Sequence, residues 1–277
     1  MRLGLFVPSV CIAVAGCGAT VEDDHGADAG TELELAVDTS ETARSFSQGS
    51  ALTRVFLLGL SDLDDDGALA AKRVLLSAKA QLAVYLPAGC ATLTSPEPAH
   101  VRVRFDGCHG PFGLLTLDGE LEAIYQSRAP GQRWRVHVQV PAGATLTANG
   151  RPIEHSAEAD VAVSEGERRV VWHASSSGTS RKGEAVTHAS DMELRFDLGA
   201  RCVEVSGVTR GAVGARGLET LVDGYVVCAD ACPSGGTITS TGLASRRAVT
   251  LRFDGSSVAR GVGRNGRAFQ LPLACAD

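Results

Sequence analysis

Residues 133–140 read Arg133-Trp134-Arg135-Val136-His137-Val138-Gln139-Val140. Every second side chain is apolar, and those between are charged or polar. A period of two belongs to a β-strand, whose successive side chains point to opposite faces. A helix would place its apolar positions three and four apart. One dry face and one wet face point to an antiparallel sheet, because parallel strands are usually covered on both sides.

The same alternation recurs on either side. Upstream, Val101, Val103 and Phe105 alternate with Arg102 and Arg104, and Leu115, Leu117, Leu121, Ala123 and Tyr125 alternate with Thr116, Asp118, Glu120 and Glu122. Downstream, Met192, Leu194, Phe196 and Leu198 form one such series, Val249, Leu251 and Phe253 another, and Phe269, Leu271 and Leu273 a third. Asp106-Gly107, Asn149-Gly150, Asp223-Gly224, Asp254-Gly255 and Asn265-Gly266 accept positive φ and favour two-residue hairpins. Arg-Phe-Asp closes three strands, at 104–106, 195–197 and 252–254, through shared strand-end chemistry or an old duplication. The expected fold is mainly β: an antiparallel meander forming a sandwich or an open barrel. One N-terminal amphipathic helix is expected near 68–86, with Leu69, Leu76 and Ala83 on one stripe, Asp65 or Asp66 near its start and Pro87 after it.

Aromatic residues make up 5% of the 277, so the core must be built mainly from Val, Leu and Ala. Thirty-two glycines against two methionines indicate many turns and few helices. The net charge of −6 is uneven. Residues 18–50 carry eight carboxylates against Arg44 alone, which makes them an acidic spacer, and 51–277 are balanced. That distribution argues against nucleic acid as a partner, since binding it needs a net basic face.

The chain opens with Met1-Arg2 and an apolar run from Leu3 to Val14, too short to span a bilayer. Val14-Ala15-Gly16-Cys17 follows, and it resembles the lipobox of bacterial lipoproteins. The resemblance implies a signal peptide over 1–16, cleavage before Cys17, acylation of Cys17 with palmitate-type chains, and a membrane-anchored mature protein. Gly18 in place of Asp implies, by the same family analogy, the outer membrane. Residues 17–50 then form the lipidated cysteine and flexible tether, and 51–277 form a disulfide-bonded β domain resembling those of β-rich envelope lipoproteins. Cys90, Cys108, Cys202, Cys228, Cys232 and Cys275 remain as disulfide candidates in an oxidising compartment. Proximity suggests Cys90–Cys108, Cys202–Cys228 and Cys232–Cys275.

Few residues carry a chemical signal. Asp62, Asp64 and Asp66 with Gly67 match the first half of a calcium-binding loop, but Arg73 stands where the bidentate Glu belongs. These acids make a weak calcium site or a helix cap. His155, His173, His188 and Asp191, with Ser175, Ser176, Ser177 or Ser180, supply the residue types of a serine triad without any recognised elbow. The segment 174–183 reads as a mobile loop. Glu120 and Glu122 share a polar strand face, and Ser234-Gly235-Gly236 reads as a turn pinned by a disulfide. No catalytic residue, resident metal or cofactor is expected. The leading expectation is a non-enzymatic cell-envelope lipoprotein presenting a β domain for binding or structural roles, toward an envelope protein or an apolar ligand. One alternative is a carrier of apolar or lipid ligands in a curved-sheet cavity; another is a weak calcium-binding surface protein. An enzyme would bring at least two of His155, His173, His188 and Asp191 within hydrogen-bond reach in a cleft.

Overall fold

A computed structural model describes Ala71, Lys72, Leu75 and Leu82, then residues 85–109, 116–129, 133–164, 166–180, 183–197, 199–200, 202–228, 232–263 and 266–273. Fourteen antiparallel strands form one sheet. They are β1 (Ala91–Thr94), β2 (His100–His109), β3 (Thr116–Ala129), β4 (Arg133–Gln139), β5 (Leu146–Ala148), β6 (Arg151–Ser164) and β7 (Glu167–Thr179). The rest are β8 (Ala185–Asp197), β9 (Cys202–Val213), β10 (Arg216–Cys228), β11 (Gly235–Gly242), β12 (Ala248–Arg252), β13 (Val258–Val262) and β14 (Ala268–Pro272). Each strand pairs with the next along the chain, as a meander requires, except around β5.

Strand β5 pairs with β3 and β6, the two neighbours of β4, so β4 and β5 are one strand interrupted by residues 140–145. The inserted segment passes over Gly119, where the Thr145 carbonyl occupies the place of a Cβ. Gly119 has φ +114°, so only glycine fits there without strain. Glu120 N donates to the same Thr145 oxygen at 3.0 Å.

Registers and burial together separate two faces. The inner face carries the rows Val161–Val170–Leu194–Val205–Tyr225 and Ala159–Trp172–Met192–Gly207–Val222–Ile238. Over β2–β7 that face is a dense core around Phe105, Tyr125 and Trp134, each at most 2% exposed. Ala71 and Leu82 are buried in that core and Leu75 packs against it, all in helical backbone as expected; the expected helix end at 86 is corrected, because Tyr85 lies in a bend and Leu86 bridges His109, and the other residues of 68–84 apart from Lys72 lie outside the described residues. Tyr85 packs on Phe105 with ring centroids 5.6 Å apart. A second, leaner cluster joins Met192, Val222, Tyr225, Val227 and Ile238.

Disulfides Cys90–Cys108 and Cys202–Cys228 form as proximity suggested, the second across the register pair that closes β9 onto β10. Cys232 is also disulfide-bonded, and Cys275 lies outside the described residues. Two of the expected hairpins are absent. Asp106-Gly107 and Asp223-Gly224 sit within β2 and β10, where the register slips between Phe105 and Cys108 and between Val222 and Tyr225. Both glycines adopt positive φ, so the residue pair that suits a tight turn here makes a bulge. Asn149-Gly150 does form the two-residue connection, between β5 and β6.

Candidate functional site

The inner face changes character toward one end of β6–β9. Below the apolar rows lies His155–Ser176–His188, three residues directly opposite one another on adjacent strands. His155 is 4% exposed and His188 6%. His155 Nδ1 and Ser176 Oγ are 2.8 Å apart, and the tautomer of the ring decides which atom donates. Ser190, one row further in, is 1% exposed, and its Oγ has no hydrogen-bond partner among the described residues. Burial drives both imidazole pKa values down to about 4, with His188 adding a smaller repulsive contribution at His155. Both rings are therefore neutral at pH 7.

The opposite parity holds the other half of the expected chemistry. His173 lies across from Asp191, and His173 Nδ1 is 2.7 Å from Asp191 Oδ1 on the outer face, both side chains more than half exposed. Arg210 reaches toward Asp191 at 3.9 Å while donating to Glu219 at 2.7 Å. Beside this pair is an open cleft of about 510 Å³. It is lined by residues of both parities, His155, Ser176 and His188 together with Ser156, Ser175 and Arg210. Ser177 Oγ donates to Glu154 Oε2 at 2.9 Å.

A triad needs its nucleophile, base and orienting carboxylate in one place. Here the serine–histidine contact and the histidine–aspartate contact lie on opposite faces of the same sheet. The stated test for an enzyme is thus met in distance by His173 and Asp191, but on an exposed strand face. Of the buried histidines His155 contacts Ser176, and no carboxylate lies in their row. Among the described residues no three His, Cys, Asp or Glu converge on a metal position.

The segment expected as a mobile loop over 174–183 is corrected. Ala174–Thr179 completes β7, paired with β6 and, over its full length, with β8. Its serines look like loop residues in composition but alternate like strand residues. Continuing the inward series Val170, Trp172, Ala174, Ser176 from the sequence would have found the inner row. Glu120 and Glu122 are engaged by β2: Arg102 lies 3.8 Å from Glu120 and 3.1 Å from Glu122, and His100 lies 3.4 Å from Glu122. Ser234 N donates to Val226 O, and Gly236 passes against the Gly224 carbonyl, so Ser234 leads into β11, which Gly235-Gly236 opens beside the bulge. Cys17, Asp62, Asp64 and Asp66 lie outside the described residues.

Comparison with protein-family models, with curated proteins and with solved structures finds no match to this chain.

Proposed function

We propose that this chain is a lipid-anchored protein of a bacterial cell envelope, held at Cys17 and presenting its sheet for non-catalytic binding. The anchor rests on Val14-Ala15-Gly16-Cys17 after a short apolar run. The observation that carries the compartment is the pair of disulfides Cys90–Cys108 and Cys202–Cys228, since such cross-links persist where thiols are oxidised. Separation of the two half-triads by the sheet favours binding over hydrolysis. An inner face filled over β2–β7, with Trp134, Tyr125 and Phe105 packed into it, favours an interaction domain over a carrier, which would hold a ligand-sized apolar cavity there.

The test is expression in a Gram-negative host with labelled palmitate. Label should enter the protein and disappear in Cys17→Ser, with the wild type in the membrane fraction and the variant released from it. An unlabelled wild-type chain, found in the cytosol with free thiols, would overturn the reading.

A further inference from the structure

The sheet has two edges, β1 and β14, and they are finished differently. At β1 the outward backbone groups are those of Ala91 and Leu93, because Cys90 O accepts from Asp106 N across to β2. Both residues are half-buried against the core, and Pro96 and Pro98 follow the strand. A short strand with prolines beside it is a common way to blunt an edge.

At β14 the edge stays open. Gly263 N donates to Arg267 O, and Leu273 N donates to Ser257 O. Backbone groups alternate in direction along a strand, so Arg267, Phe269, Leu271 and Leu273 face β13. Ala268, Gln270 and Pro272 therefore face outward. Ala268 and Gln270 are exposed, and proline suits position 272 because the N–H it lacks would have pointed away from the sheet. No charged residue stands between Ala268 and Leu273, where an edge strand usually carries one. Val262 and Phe269, 45% and 40% exposed, are among the few large apolar side chains open to water, and both lie at this edge.

The strand is complementary to itself. A second β14, antiparallel and centred on Gln270, would set Phe269 against the partner's Leu271 on the inner face. On the outer face Ala268 would meet the partner's Pro272, and Gln270 the partner's Gln270, whose amide both donates and accepts. The outward N–H groups of Ala268 and Gln270 would then find the carbonyls of the partner's Pro272 and the partner's Gln270. Sliding the register to bring Phe269 against the partner's Phe269 would instead put Leu271 opposite the partner's Arg267.

We infer that β14 is a self-association edge, where two copies of this chain join their sheets across a two-fold axis at Gln270. The inference goes beyond envelope display and holds with or without the lipid. Strands β12, β13 and β14 have five residues each, so the sheet tapers toward this edge. A stable interface needs about 20–30 residues a side, so the dimer is reversible, with a Kd on the order of 50 µM.

The test is sedimentation velocity on the purified full chain in detergent, from about 5 to 500 µM, a range that brackets that Kd. The wild type should pass from monomer to dimer and stop there. Gln270→Pro removes an N–H that faces away from β13, and it should weaken dimerisation roughly tenfold or more. Gln270→Lys and Gln270→Glu should each weaken it about fivefold, because like charges would face each other across the axis. Mixing those two variants should restore the dimer, which also shows that both are folded. A monomer throughout the range, indifference to Gln270→Pro, or a mixture no tighter than its components would each overturn the proposal. Open-ended polymers would pair β14 with β1 of the next copy and overturn the two-fold axis. Palmitate labelling at Cys17 is a separate readout, so either proposal can fail alone.

Discussion

The stretch from β2 to β7 and the stretch from β9 to β14 belong to one sheet but fill its inner face differently. The first stacks Phe105, Tyr125, Trp134 and Trp172 with valines and leucines, and much of it is fully excluded from water. The second has Gly207, Gly211 and Gly242 at inward positions, and its cluster of Val222, Tyr225, Val227 and Ile238 is completed by Met192 of β8. With less side-chain volume available, it uses other constraints. Tyr225 meets Phe253 edge-on at 4.9 Å, Thr220 and Ser240 hydroxyls bond at 3.0 Å, and the Phe269 ring covers Gly261. Cys202–Cys228 ties β9 to β10. A sheet thus holds together where packing is thin by closing specific pairs.

A polar seam, the His155–Ser176–His188 row, runs from β6 and β7 of the first region into β8, and acid should act there most strongly. Unfolded imidazoles take up protons near pH 6.5, whereas these two do so only near pH 4. Between those values the unfolded chain binds more protons, so stability is complete above about pH 6.5 and falls toward pH 4. The loss is about 3 kcal/mol per histidine, roughly 6 kcal/mol for both. Urea denaturation from pH 7 to pH 4 should follow that slope, and His155→Gln with His188→Gln should flatten it. An unchanged acid limb in the double variant would move the proton-sensitive step away from the seam.

Core truncation tests the comparison directly. Trp134→Ala should cost about 4 kcal/mol, because the ring is 2% exposed and its neighbours are fixed by the sheet. Met192→Ala, in the leaner cluster, should cost about 2 kcal/mol. Equal losses in thermal or chemical melts would erase the distinction between the two regions. Cys202→Ala with Cys228→Ala should remove about 3 kcal/mol on the loop-closure argument. Its signature is regional: amide exchange should quicken in β9–β14 and remain slow in β2–β4. Uniform acceleration would mean that the sheet opens as one unit.

The legibility of the chain follows the same division. Strands β2, β3, β4, β8, β12 and β14 were visible because bulky apolar residues alternate with charged ones. Strands β9–β11 were not, since Gly, Thr and Ser at inward positions carry little hydrophobic signal. Their place comes from pairing on both sides. Strand β5 needs a partner 29 residues away, Thr147 against Asp118, which local periodicity cannot reveal. The candidate site was half legible. Its histidines and serines were recognised by type, but reading 174–183 as a loop discarded the parity that sends Ser176 inward and His173 outward.

The smallest expected effect lies on the outer face, and it shows why that face does not resolve the two regions energetically. Glu193 accepts from Arg169 at 2.7 Å and from Arg195 at 2.7 Å, and these two guanidiniums hold its carboxyl pKa down at about 2. Both arginines are more than half exposed, so water and salt screen most of that attraction. Glu193→Gln should therefore change stability by only a few tenths of a kcal/mol at 0.15 M salt. The change should grow as salt is lowered. A loss above 1 kcal/mol at physiological salt would mean that this triad anchors β7 to β8 as the core does. The outer face would then share the burden now assigned to the inner one.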